Sequence, residues 1–129
     1  MLRLSARGDL LNNTASSQGV TVTFKLGATT LVTEAGVTSI PTSAARRPWR
    51  IYMELSNLGA ANSQEWHAQL VIGRDGGGYT TSGFHVVGAH SGTSAVDTAA
   101  EQTLAVEITW PTSSASLSWR RKYAMLELL

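Results

Sequence analysis

Apolar and polar residues alternate one by one through most of this chain. In the clearest run Val20, Val22, Phe24 and Leu26 fall on one side, and Thr21, Thr23 and Lys25 on the other. Neighbouring side chains of a strand point to opposite faces of a sheet, so this spacing predicts a strand with one buried and one wet face. Further strands are predicted over Leu2–Ala6, Thr29–Thr33, Val37–Ile40, Trp49–Ser56, Gln64–Ile72, Phe84–Ala89 and Gln102–Trp110. In Trp49–Ser56 the inward set is Trp49, Ile51, Met53 and Leu55; in Gln64–Ile72 it is Trp66, Ala68, Leu70 and Ile72.

The last run, Ser116–Leu128, changes phase. Leu117 and Trp119 fall on one parity, Ala124, Leu126 and Leu128 on the other. A one-residue slip carries every side chain across a sheet, so a bulge is expected between Arg120 and Tyr123. Turn signals separate the runs. Asp9–Gly19 is read as a polar turn region, Gly27-Ala28 as a hairpin turn, Pro41–Pro48 as a linker, and Asn57–Ser63 as a loop. Arg74-Asp75-Gly76-Gly77-Gly78 is the strongest turn signal, and His90–Ala100 reads as loop with a minor strand at its centre. About eight short strands with no competing helix predict an all-β fold, an antiparallel β-sandwich or jelly roll.

Composition adds boundaries. The 129 residues suit one domain with a core of its own. There is no cysteine, so disulfides and thiolate metal sites are excluded. Lys and Arg number 10 against 9 Asp and Glu, which gives no electrostatic case for nucleic acid or an acidic membrane. No apolar run reaches the roughly 18 residues of a membrane span, and Arg3, Arg7 and Asp9 interrupt any leader-like segment. Charged residues make up only 15%, and such a surface suits packing against other copies.

Each chemical motif has a plain structural counterpart. Arg7-Gly8-Asp9 spells an adhesion tripeptide, but it follows a strand, where Gly8 lets the chain turn. Asn12-Asn13-Thr14 is a glycosylation sequon whose asparagines also form turns. His67, His85 and His90 lack the short spacing of zinc ligands. Glu54, Glu65 and Glu107 lie on polar strand faces, where pairing with Arg50, Arg3 or Lys25 is expected rather than glycosidase chemistry. No nucleophile elbow or phosphate-binding loop occurs, so no catalytic residue, metal or cofactor is assigned. Trp49, Trp66 and Trp110 fall in the apolar phase, which leaves Trp119, at the phase slip, as the candidate exposed or interface aromatic. Arg46-Arg47 and Arg120-Arg121-Lys122 hold half of the positive charge, for pairing with glutamates or for subunit contact.

A succession of segments carries a resemblance. It runs Leu2-Arg-Leu-Ser-Ala-Arg-Gly8, Asn12-Asn13, Val22-Thr-Phe-Lys-Leu-Gly-Ala-Thr-Thr-Leu31 and Pro48-Trp-Arg-Ile-Tyr-Met-Glu54. It continues with Leu58-Gly-Ala-Ala-Asn-Ser63, Asp97-Thr98, Gln102-Thr-Leu-Ala-Val106 and Met125-Leu-Glu-Leu128. In order and spacing this resembles the small jelly-roll domains of tailed-bacteriophage structural proteins, at tail-fibre ends and in head decorations. Such domains often carry an extra strand before the segment matching Leu2–Gly8, and here Met1 comes directly before it. The chain is then a compact variant or the end domain of a longer fibre protein, and an open sheet edge would be covered by a neighbouring copy.

The resemblance implies a non-enzymatic homotrimer on the virion exterior, touching other virion proteins or a host-surface glycan. Recognition would sit on loop tips and exposed aromatics: Asn57, Asn62, Asp75, Tyr79 and Trp119. The alternative is a carbohydrate-binding module with Trp119, Tyr79 or Tyr52 on an aromatic platform.

Overall fold

The computed structural model describes residues 1–35, 40–73 and 85–129. Within them the chain is all-β, eight strands in two antiparallel sheets, with no helix. The strands are β1 (Leu2–Asn12), β2 (Thr21–Leu26), β3 (Thr29–Glu34), β4 (Arg47–Ala60), β5 (Ser63–Ile72), β6 (His85–Ser94), β7 (Leu104–Thr109) and β8 (Leu117–Leu128). One sheet has five strands in the order β6-β5-β4-β1-β8; the other has three, β3-β2-β7.

The alternating residues form the core as their spacing requires. Trp49, Ile51, Met53 and Leu55 of β4, Trp66, Ala68, Leu70 and Ile72 of β5, and Val22, Phe24 and Leu26 of β2 are all buried in one cluster. Register keeps the parity across strands. Leu2 lies opposite Leu55, Leu4 opposite Met53 and Ala6 opposite Ile51. Phe24 lies opposite Val106 on the smaller sheet.

The expected bulge is present. Arg7 pairs with Tyr123 but Gly8 pairs with Arg121, so Lys122 is the extra residue. This insertion brings both apolar sets of β8 to one face. Trp119 lies opposite buried Leu10, and Ala124, Leu126 and Leu128 lie opposite Ala6, Leu4 and Leu2.

Several boundaries differ from the sequence expectation. Strand β1 does not stop at Ala6 but continues to Asn12, because β4 and β8 flank it and offer hydrogen-bond partners on both sides. Gly8 therefore makes no turn. It permits a close approach: a Cβ there would lie 1.8 Å from the Arg120 carbonyl oxygen and 2.8 Å from the Trp49 ring. Asn57–Ser63 is mostly strand. β4 runs on to Ala60, and only Ala61 and Asn62 form the turn into β5. A register shift between Asn57 and Ala60 absorbs Leu58 and Gly59, the latter at φ 88°. The expected loop from His90 is strand as far as Ser94, paired to β5. The expected strand residues Val37–Ser39 and the turn Arg74–Gly78 lie outside the described residues.

Gly8→Ala is expected to destabilise the fold by about 3 kcal/mol or more, since it overpacks against backbone that cannot yield. Urea denaturation of the purified variant measures this; a change within experimental error would show that the β1–β8 approach is not a constraint.

Candidate functional sites: an open seam and a polar outer face

The two layers are unequal, and the inequality leaves a seam. The three-stranded sheet ends at β7, whereas the five-stranded sheet runs on past β1 to β8. Trp49, Ile51, Met53 and Leu55 on the inward face of β4 are at most 6% exposed. At the far end of β8 the residues in the same phase are open: Leu126 is 56% and Leu128 84% exposed. Leu2, Leu4, Leu104, Val106, Ile108 and Trp119 are only partly covered. The far side of the sandwich is closed by contact between β3 and β6, with the Glu34 carboxylate 2.5 Å from His90 Nε2.

Two depressions run along the seam. One of about 400 Å3 is bordered by Leu4, Val106, Ile108, Trp119, Arg121 and Ala124. The other, about 570 Å3, is bordered by Leu2, Leu26, Gln102, Leu104, Leu126 and Leu128. Both β7 and β8 are edge strands, so each also presents unpaired backbone groups along this side.

Trp119 is not an exposed platform. Its ring packs 5.0 Å from Trp49 and 6.4 Å, edge-on, from Trp110. The bulge at Lys122 turns Trp119 inward, where it lines the seam half-buried. The three indoles close one end of the seam.

The outer face of the larger sheet is a register-defined grid. One row reads Glu127, Arg3, Glu54 and His67; the next Met125, Ser5, Tyr52 and Gln69; the next Tyr123, Arg7, Arg50 and Val71. Arg3 donates to Glu54 Oε1 at 2.9 Å, and the Tyr52 hydroxyl donates to the same oxygen at 2.7 Å. These bonds hold the Glu54 carboxyl below the usual carboxylate range, chiefly through Tyr52 and then Arg3, and raise the Tyr52 phenol and the Arg3 guanidinium. Lys25 pairs with Glu107 at 2.8 Å. Arg3–Glu54 and Lys25–Glu107 are the cross-strand pairings expected of these carboxylates, and Glu65 lies 3.9 Å from His67 Nε2. Among the described residues no group of three or more metal-ligating side chains converges.

The adhesion-like tripeptide is consumed structurally. Asp9 is buried and receives Arg120 in a forked contact, Nε to Oδ1 at 2.8 Å and Nη2 to Oδ2 at 3.0 Å. Lys122 Nζ lies 2.7 Å from Oδ2, and Arg46 Nε also bonds Oδ1. Arg7 points away and stacks over Tyr123 at 5.0 Å. The sequon asparagine Asn12 is likewise buried; its Nδ2 donates to Ile40 O at 2.7 Å, and its Oδ1 accepts from Thr14. It organises the turn after β1.

Of the other site residues read from sequence, Asn57 is exposed on β4 and accepts from the Thr98 hydroxyl at 3.3 Å. Asn62 is exposed at the β4–β5 turn. Nothing brings these two together with Trp119. Asp75 and Tyr79 lie outside the described residues, as does the side chain of His85. Asp9, Arg46 and Lys122 were not singled out together, because 37 residues separate Asp9 from Arg46 and 111 separate it from Arg120. The one available hint was the two basic runs, Arg46-Arg47 and Arg120-Arg121-Lys122.

The cations around Asp9, Arg120 first, hold its carboxyl well below the ordinary range. The folded form is then the stronger acid. Its contribution to stability is complete above the unfolded value of about 3.9 and shrinks as the pH falls below it. Asp9→Asn is expected to cost about 2 kcal/mol at neutral pH, discounted because Arg120 and Lys122 are more than half exposed. The difference from the parent should narrow toward pH 2 to 3, which denaturant titrations at several pH values measure.

Comparison with protein-family models, with curated proteins and with solved structures returns no match, so the chain's own geometry carries the reading of its function.

Proposed function

We propose that this chain is a non-enzymatic structural module of a tailed-bacteriophage virion, assembled as a homotrimer on the particle exterior, as a tail-fibre end or a head decoration. The observation that carries the self-assembly is the uncovered inner face of β8. Leu126 and Leu128 occupy core phase yet stay in solvent in a single copy. Burying a leucine contributes about 1.5–3 kcal/mol, so a strip of them beside Leu104, Val106 and Ile108 is a strong reason to associate.

A second copy suits this seam better than an unrelated partner on two grounds. Its two borders are both edge strands, so one copy's edge can extend another's sheet. Its charges are also self-complementary. Arg121 stands on the β8 border, and exposed Glu101 stands just before β7. A basic border meeting an acidic one on the next copy makes a head-to-tail contact, and three such contacts related by a third of a turn close into a ring. The virion setting comes from the ordered segments Leu2–Gly8 to Met125–Leu128 and their resemblance to phage jelly-roll domains.

Light scattering coupled to gel filtration at micromolar concentration is expected to give the mass of three chains of 13.7 kDa. Leu126→Asp should weaken assembly by at least about 100-fold, as loss of a central apolar anchor does, with an unchanged far-ultraviolet spectrum. A strict monomer would overturn the proposal; an intact trimer in Leu126→Asp would move the interface away from the seam.

A further inference from the structure

We propose that the cation cluster on Asp9 is a binding site for a doubly charged phosphate group, free or borne as a monoester. Three positive heads converge there from separate parts of the chain. Arg120 and Lys122 come from β8, and Arg46 from the segment just before β4. Nε of Arg46 and Nε of Arg120 donate to the same oxygen, Oδ1. Nη2 of Arg120, at 3.0 Å, and Nζ of Lys122, at 2.7 Å, share Oδ2. Each head is one contact away from a single carboxylate, so the three are held close together.

The charge there does not balance. One cation neutralises Asp9, and the forked Arg120 already engages both of its oxygens. Arg46 and Lys122 add two further positive charges, and among the described residues the three cations meet no second carboxylate. Like charges gathered in this way repel one another. Holding β8 against β1 at the bulge requires only Arg120, so the excess points to an anion from outside the chain. A phosphomonoester carries about −1.5 to −2 charges at neutral pH and three acceptor oxygens, which matches the surplus. Guanidinium and ammonium groups are common partners of such a group. A carboxylate or a sulfate ester, singly charged, would leave half of the excess unmet.

The cluster is open to solvent and already ordered. The side chains of Arg120 and Lys122 are 54% and 64% exposed, against 10% for Asp9, so the acid makes the floor and the cations the rim. Arg46 is fixed further by donating through Nη2 to Ser118 Oγ at 2.9 Å. Groups held in place beforehand lose little freedom when a ligand arrives. Two residues back along β1, exposed Arg7 stacks over Tyr123 and adds positive potential along the approach. Arg120 and Lys122 reach Asp9 on the outer side of β8, whereas Arg121 borders the seam. The site therefore does not use the surface proposed for assembly.

Glucose 6-phosphate, glucose 6-sulfate and inorganic phosphate titrated into 15N-labelled protein test the assignment. At neutral pH glucose 6-phosphate is expected to saturate in the millimolar range, about tenfold or more tighter than the sulfate ester. Shift changes should centre on Asp9, Arg46, Ser118, Arg120 and Lys122. Inorganic phosphate binding equally well would support the site and assign it to the free ion; weaker binding would support it with the phosphate on a carrier. At about pH 5, below the second phosphate ionisation near 6, the preference over the sulfate ester should vanish. Lys122→Gln removes one surplus cation and leaves Asp9 its two arginines. It should weaken binding about tenfold with little change in unfolding temperature, and Lys122→Arg should bind as the parent does. Lys25→Gln, on the other sheet, should change nothing. Equal binding of the sulfate ester, no saturation at millimolar phosphate, or full binding by Lys122→Gln would overturn the proposal. Leu126→Asp, which disrupts the proposed assembly, should bind as the parent does, so the two readings succeed or fail separately.

Discussion

The constraint on which the structure depends is the covering of one apolar sheet face by another. Five strands offer their inner residues and three strands are available to bury them. The match is good over β4 and β5, where Met53, Leu70 and Ile72 are fully enclosed. It fails over the end of β8, where Leu126 and Leu128 have the same parity and the same chemistry but stay exposed. The contrast between Met53 at 0% and Leu128 at 84% exposure is therefore a matter of position in the layers, not of side-chain type. The proposed self-association follows from that mismatch.

The bulge at Lys122 connects the core, the seam and the ion cluster. Without the extra residue, Leu117 and Trp119 would face inward and Ala124, Leu126 and Leu128 outward. With it, β8 presents one continuous apolar strip to the seam, and Arg120 and Lys122 both reach Asp9 on the outer side. Gly8 is the partner of this distortion, because only a residue without a Cβ fits beneath the displaced Arg120 carbonyl. Arg7, Gly8 and Asp9 thus do three separate structural jobs: ring stacking, close approach and charge capture.

The outer face divides its charges unevenly. At one end, Arg3 stands between Glu127 and Glu54 in one row. Around Asp9, three cations converge on one carboxylate. Between these regions, Arg7 and Arg50 stand side by side next to Ser5.

The strands and their inward faces were legible in the sequence because side-chain parity in a strand is a local, period-two property. Val22, Phe24, Ile51, Met53, Leu70 and Val106 needed no neighbours to declare their side, and the phase break before Tyr123 announced the bulge. Strand ends were less legible: β1 reaches Asn12 and β4 reaches Ala60 because partner strands there satisfy backbone groups that local turn residues would otherwise free. Trp119 could not be placed from its own segment, since its direction depends on an inserted residue three positions further on. The Asp9 cluster was not visible at all, because it joins residues from β1, β8 and the segment before β4. Parity decides which way a side chain points; only the stacking of the layers decides whether anything is there to meet it.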